Sequence, residues 1–129
     1  MTIQASAEDY LEAILMLDKK NGKVKSIDIA NHLNFSKPTV SIAMKKFRLN
    51  GYITIDEQKN ISLTEKGAEI ANRMQERHIL LSKVLILIGV DEKQAHEDAC
   101  KMEHTISDAT FERIKEFYDR VVRSVMQPT

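Results

Sequence analysis

The chain has 129 residues, 43% hydrophobic and 29% charged, with 19 Lys plus Arg matched by 19 Asp plus Glu. This is an ordinary globular balance that excludes bulk disorder, and with no net charge any attraction to nucleic acid or membrane must come from a local patch. Four Gly and two Pro favour helices over a turn-rich β-sandwich, and a single Cys excludes an internal disulfide.

No charged-then-apolar leader opens the sequence. The most apolar run, Ile79 to Val90, contains Ser82, Lys83 and Gly89. It falls well short of the ~20 apolar residues needed to span a bilayer. A reduced, cytoplasmic protein without membrane contact is expected.

From Ser6 to Lys19 the apolar positions Tyr10, Leu11, Ile14, Leu15 and Leu17 predict an amphipathic helix. Past Asn21-Gly22, Ser26 suits the cap of a short helix over Ile27–Leu33. Asn34-Phe35 makes a tight connection, Ser36 caps a third helix over Lys37–Leu49, and Gly51 stands just past its end. The period then shortens. Tyr52–Ile55 and Ile61–Leu63 predict two strands, joined through Asp56 to Asn60 as a hairpin. Thr64 opens a long helix from about Glu65 to Ile88, which Gly89 stops. Asp91 caps a helix to about His104, and Ser107 a last helix to Val125. Two helices joined by a short turn and followed by a hairpin make a winged helix-turn-helix.

In the third helix Val40, Ala43, Met44 and Phe47 share the inward face. Pro38, Ser41, Ile42 and Lys45 fall opposite, with Thr39 and Lys46 beside them. Between Phe35 and Gly51 stand Lys37, Lys45, Lys46 and Arg48 and no acid, so a neutral protein carries a positive face on the helix this topology offers to a major groove. Lys45 and Lys46 suit phosphates. Ser36, Lys37, Thr39 and Ser41 suit base edges or phosphates, Ile42 a thymine methyl, and Lys59 at the hairpin tip a neighbouring phosphate.

His96, Cys100, Glu103 and His104 stand at spacings of four, seven and eight. At ~3.6 residues per turn they would form one stripe of one helix. Imidazole, thiolate and carboxylate are the side chains that bind first-row transition metals. Asp9 and Glu12 edge the apolar face of the first helix, and His78 sits within the long one. Read singly, the two acids are favoured by a helix dipole, and His78 and Cys100 are core residues. Read together, the first, fourth and fifth helices can bring Asp9, Glu12, His78, Cys100, Glu103 and His104 to one centre, with donors enough for two ions.

Ser6-Ala7-Glu8-Asp9-Tyr10-Leu11-Glu12-Ala13-Ile14 resembles the opening motif of the diphtheria-toxin-repressor and manganese-transport-regulator family of metal-dependent repressors. Asp28-Ile29-Ala30 and Ser36-Lys37-Pro38-Thr39-Val40-Ser41 resemble its helix-turn-helix. Leu63 to Gly67, Arg77-His78, Gly89-Val90-Asp91 and Ala99 to Ser107 follow in order, so the resemblance runs nearly the whole length.

The resemblance implies a mainly α fold, with a winged helix-turn-helix over 1–73 and a helical metal-binding and dimerisation domain over 74–129, the helix 65–88 bridging them. It implies a homodimer that reads a palindromic operator in double-stranded DNA with Mn2+ or Fe2+ as corepressor, one or two ions per chain, controlling metal uptake or homeostasis genes. It places Asp9, Glu12, His78, Cys100, Glu103 and His104 on metal-ligand positions, and His96 on a further ligand position of the iron branch. Asp9 and Glu12 resemble the manganese branch, Cys100 and His96 the iron branch, and Ser82 stands where the iron branch has a glutamate ligand. A form without the carboxy-terminal SH3-like domain of longer members is expected.

The last helix carries Phe111, Ile114, Phe117, Tyr118, Val121, Val122 and Val125, more apolar surface than a lone surface helix needs, and is expected to build the dimer interface with the fifth. No organic substrate is expected. Two other classes are open: a metal-independent winged-helix regulator, which would hold DNA in chelator, and a metallo-hydrolase. Against the enzyme, there is no HExxH, no Gly-rich phosphate loop, and no Ser beside a candidate base.

Overall fold

The structure is a computed structural model that describes the backbone of Thr2–Met126 and the side chains of Ala7–Val125. The Ser6 side chain and the chain end at Thr129, with any expectation attached to them, lie outside the described residues. In order the elements are α1 (Thr2–Asn21), α2 (Ser26–Leu33), α3 (Lys37–Leu49), β1 (Ile53–Ile55), β2 (Ile61–Leu63), α4 (Glu65–Leu87), α5 (Glu92–Met102) and α6 (Asp108–Met126). They form two compact units, residues 1–75 and 76–129, with the boundary inside α4.

The first unit is a winged helix-turn-helix. Its core joins Tyr10, Leu11, Ile14 and Leu17 of α1, Ile29 and Ala30 of α2, Val40 and Met44 of α3, Ile53 and Ile61 of the strands, and Ala71 of α4. Phe47 takes Tyr10 and Tyr52 edge-on at 5.5 and 6.3 Å between ring centres, a favoured aromatic geometry. The strands pair antiparallel, with Ile53 opposite Leu63 and Ile55 opposite Ile61. Tyr52, expected to begin β1, stands outside it. Its carbonyl accepts instead from Thr64 N–H, and Gly67 passes so close that a Cβ there would come within 2.1 Å of that oxygen.

Ser36 caps α3 by accepting from Thr39 N–H at 3.3 Å, and Gly51 beyond its end is left-handed at φ +80°. The cap of α2 differs from expectation. Ser26 lies inside the helix and Lys25 precedes it, with Lys25 N–H donating to the Asp28 carboxylate at 2.9 Å. The Asp28 carboxylate satisfies the N–H of the cap residue, while Asp28 N–H bonds the Lys25 carbonyl at 2.9 Å. The helix also extends at both ends of the Ser6–Lys19 range expected for α1.

In the second unit α4 ends one residue earlier than expected, before Gly89 at φ +104°. Asp91 caps α5 and Ser107 caps α6, the latter accepting from Thr110 N–H at 3.1 Å. Helix α5 ends at Met102, with Glu103 as its cap residue, still right-handed and bonded through its N–H to the Ala99 carbonyl, and His104 in the turn that follows. Among the described residues no helix is long and apolar enough to cross a membrane.

Candidate metal centre and nucleic-acid interface

On α3 the inward residues Val40 and Met44 are buried, while Ser36, Lys37, Pro38, Thr39, Ser41, Ile42, Lys45 and Lys46 are all exposed. Ile42 is 68% exposed, an open position for a β-branched side chain with nothing of its own fold to cover it. The Ser36 and Thr39 hydroxyls lie 2.7 Å apart, so both are held at the helix end. The face is polar and basic at both ends and apolar at Ile42, a mix suited to phosphates flanking a base edge.

The wing is pinned to this head. Lys59 sits at its tip with φ +68°. Asp56 closes the loop by accepting from the Asn60 backbone N–H at 2.8 Å and the Asn60 amide at 3.1 Å. The backbone bond from Asn60, the largest cause, holds the Asp56 carboxyl below its ordinary pKa. Lys25 Nζ donates to the Gln58 carbonyl at 3.0 Å, and Ile61 N–H to the Val24 carbonyl at 2.7 Å. The part played by Lys25 was not expected, because its partner lies in a different element of the sequence.

Of the seven expected metal ligands, Asp9 and Glu12 stand half-buried on one side of α1 in the first unit. In the second unit the centre is Glu103, whose side chain is 1% exposed, just past the end of α5. His78 Nδ1, from α4, lies 3.4 Å from Glu103 Oε2, and His104 Nε2 lies 3.6 Å from Oε1. Cys100 Sγ is within 4.8 Å of a Glu103 carboxylate oxygen. Both Glu103 oxygens are buried with no hydrogen-bond partner.

A buried carboxylate without donors is costly, because its lost hydration is not replaced. Donors that share one metal ion at ~2.1 Å each stand roughly 3.4 Å apart in tetrahedral geometry. The spacing and the two orphaned oxygens therefore fit a cation. His96 stands further out. It is exposed, and its Nδ1 is 3.4 Å from His78 Nε2 and 3.2 Å from the Oγ of buried Ser82. Glu103 keeps a right-handed backbone at the end of α5, its N–H bonding the Ala99 carbonyl at 2.9 Å, so it still follows Cys100 at helical spacing. His96 and Cys100 lie exposed on α5, and His104 is placed by the turn that follows.

That turn is held by Arg77, whose role the sequence did not signal. Its guanidinium is buried, with Nη1 donating to the Glu103 carbonyl at 3.0 Å and the Ile106 carbonyl at 2.9 Å, and Nη2 pairing with Asp108. It also stands 5.3 Å from the Phe111 ring centre. A planar fork meeting three acceptors fixes the backbone from which Glu103 and His104 project. Elsewhere in the unit a cleft of about 440 Å³ runs along Val84, Ala109, Ile114 and Phe117, with Phe117 half-exposed.

A winged helix-turn-helix joined in one chain to a helical unit with a buried carboxylate set beside imidazoles and a thiol defines a class: DNA-binding regulators that respond to a metal ion. Residues 2–61 match the iron dependent repressor N-terminal DNA binding domain, and residues 64–125 the iron dependent repressor metal binding and dimerisation domain. The chain belongs to this diphtheria-toxin-repressor and manganese-transport-regulator family of metal-dependent transcriptional regulators. An HTH-type transcriptional regulator of Methanocaldococcus jannaschii is 38% identical over 117 residues, covering 89% of this chain and 94% of that protein. The transcriptional regulator MntR of Lysinibacillus sphaericus is 33% identical, over 84% of this chain and 78% of that one. The solved structure of the manganese regulator SloR superposes with a TM-score of 0.77 at 32% identity, over 88% of this chain and 53% of its own. The chain thus spans about half the length of that structural relative.

Proposed function

We propose that the protein is a repressor that binds a palindromic operator as a homodimer in the cytoplasm, with Mn2+ or Fe2+ as corepressor, one or two ions per chain. The observation that carries this is the buried Glu103 carboxylate, without a hydrogen bond at either oxygen, between the imidazoles of His78 and His104. Asp9, Glu12, His78, Cys100, Glu103 and His104 are the proposed ligands. The carboxylates suit Mn2+, and the thiolate and imidazoles suit Fe2+ and later metals.

When bound, the ion supplies positive charge at this acidic centre. The chain's own residues carry the response. Asp9 and Glu12 flank Tyr10, whose ring meets Phe47 of α3 at 5.5 Å, so a pull on α1 is felt by the reading helix through a packed contact. Glu103 and His104 are presented by the turn that Arg77 holds. Ligands drawn from separate elements let an ion favour one arrangement over another, which is what a corepressor must do. Exposed Phe117, Val125 and Ile88 supply apolar area for a second copy.

The test is anaerobic titration of chelator-stripped protein with Mn2+ and Fe2+, following stoichiometry and retention of duplexes from a random pool together. One or two ions per chain, with duplex held only in their presence, is the expected result. Duplex retention unchanged by chelator would leave a metal-independent winged-helix regulator instead.

A further inference from the structure

The loop from Asp56 to Asn60 makes most of its hydrogen bonds within itself. Asp56 N–H donates to the Asn60 carbonyl at 3.0 Å, and the Asp56 carboxylate accepts from the backbone and side-chain amides of Asn60. Lys25 reaches this loop from the helix-turn-helix, its Nζ donating to the Gln58 carbonyl at 3.0 Å. Lys25 is itself firmly seated. Its N–H donates to the Asp28 carboxylate at 2.9 Å, and its carbonyl accepts from Asp28 N–H at 2.9 Å. Val24 before it is fully buried and accepts from Ile61 N–H at 2.7 Å.

The Gln58 carbonyl and the Lys59 N–H belong to one peptide group, which is planar. Its oxygen is bonded by Lys25, and its N–H donates to the Asp56 carbonyl at 3.0 Å, so the plane is held from both ends. From that plane Lys59 leaves with φ +68°. A left-handed backbone is costly for a residue other than glycine and persists where its surroundings over-determine it. Here the surroundings are Asp56 on one side and Lys25 on the other.

By charge alone Lys25 belongs with Lys19, Lys20 and Lys23, an exposed run without an acid that would suit phosphates. What separates it is the carbonyl its ammonium already bonds. We infer that Lys25 is a positioning residue for DNA binding: it holds the Gln58–Lys59 peptide so that the exposed Lys59 ammonium meets a phosphate beside the groove read by α3, and makes no phosphate contact of its own. A tip ordered in advance loses less freedom on binding, which raises affinity without a new contact to DNA. The inference rests on the proposed DNA contact of Lys59; the geometry of the tie does not.

The test uses the full chain with Mn2+ and one labelled duplex recovered from the random pool, with anisotropy followed across a salt series. Lys59→Ala is expected to flatten the salt slope by about one. Lys25→Met is expected to weaken binding by about 2–10-fold, the range that one net hydrogen bond spans, and to change nothing further once Lys59 is replaced. Lys25→Arg keeps a donor for the Gln58 carbonyl and is expected to bind as wild type does. In the DNA-free chain, the order parameter of the Lys59 amide is expected near about 0.85 in wild type and Lys25→Arg, and to fall toward about 0.6 in Lys25→Met. Additive losses in the double variant, with the slope flattened by about two, would overturn the inference and put Lys25 on a phosphate. An ordered tip and wild-type binding in Lys25→Met would overturn it as well. A slope unchanged by Lys59→Ala would take Lys59 off the phosphates, and the inference would fall with it. If wild type retains no duplex, the DNA reading itself fails; a Lys59 amide that still loosens in Lys25→Met would then mark Lys25 as a tie of the wing and nothing more.

Discussion

His78 and Glu103 face each other at 3.4 Å, one from the middle of α4 and the other from the turn after α5, and the carboxylate is buried without a hydrogen bond. A charge kept in that position costs stability unless a cation meets it. Replacing Glu103 with Gln removes the charge at nearly constant volume. The metal-free variant is therefore expected to melt no lower than wild type, and its melting point to stop responding to Mn2+. Its Mn2+ affinity should fall by more than about 100-fold, since even outer-shell losses cost about 10–100-fold. A wild-type metal response in Glu103→Gln, followed by thermal melts with and without the ion, would remove Glu103 from the centre.

The exposed face of α3 separates two roles in DNA binding. Lys45 and Lys46 can neutralise phosphates, and removing one such lysine lowers the salt dependence of binding by about one. The double change Lys45→Ala and Lys46→Ala is expected to weaken all duplexes alike and flatten the salt slope by about two, with metal binding intact. Ile42→Ala is expected to leave the slope alone and relax the preference at one base position. Fluorescence anisotropy across a salt series, on matched and mismatched duplexes, distinguishes the two. An unchanged slope in the double variant would show that this face does not touch phosphates.

The local punctuation was legible in the sequence. Ser36, Asp91 and Ser107 cap the helices assigned to them, and Gly51 and Gly89 take the left-handed backbone expected past a helix end. Each of these depends on bonds within a few residues. What was not legible depends on partners far along the chain. Helix α5 stops at Met102 with no Gly or Pro to mark it, in a turn held by Arg77 from another helix. Glu103 keeps the helical backbone at that end and so follows Cys100 at the spacing the sequence shows, while His104 lies in the turn. The donor types were correct guides to chemistry, but which of them is buried was decided by tertiary packing. Ser82, which in the sequence marks only a departure from the iron branch, is buried and lies 3.2 Å from His96 Nδ1, a contact between two helices that spacing alone does not reveal.

The wing carries its own pH dependence. Asp56 is held below the ordinary aspartate value of 3.8, first by the Asn60 backbone N–H and also by the Asn60 side chain. Because the folded-state value is depressed, the stabilisation is complete above 3.8 and is lost as pH falls through the lowered value. Tip order should therefore be constant through neutral pH and fade only in acid. The Asn60 amide resonance is expected to titrate with a midpoint below that of free aspartate, and Asp56→Ala to abolish the transition. A midpoint at or above the ordinary value would contradict the bond's role.

Arg77 tests whether the turn, and not the ligands alone, makes the centre. Its fork joins the carbonyls of Glu103 and Ile106 and the carboxylate of Asp108, all belonging to the segment that places Glu103 and His104. Lysine keeps the charge but cannot meet three acceptors in one plane. Arg77→Lys should therefore strand at least one buried carbonyl and destabilise the second unit by about 1.5–3 kcal/mol, the usual worth of hydrogen bonds to a charged group. Mn2+ affinity should fall with it, although no proposed ligand has changed, and DNA retention at saturating Mn2+ should recover. Urea unfolding monitored at Tyr118 in the second unit, paired with Mn2+ titration, measures both effects. Lower stability with unchanged affinity would mean that Glu103 finds its place without Arg77, and the turn would then be only a structural joint.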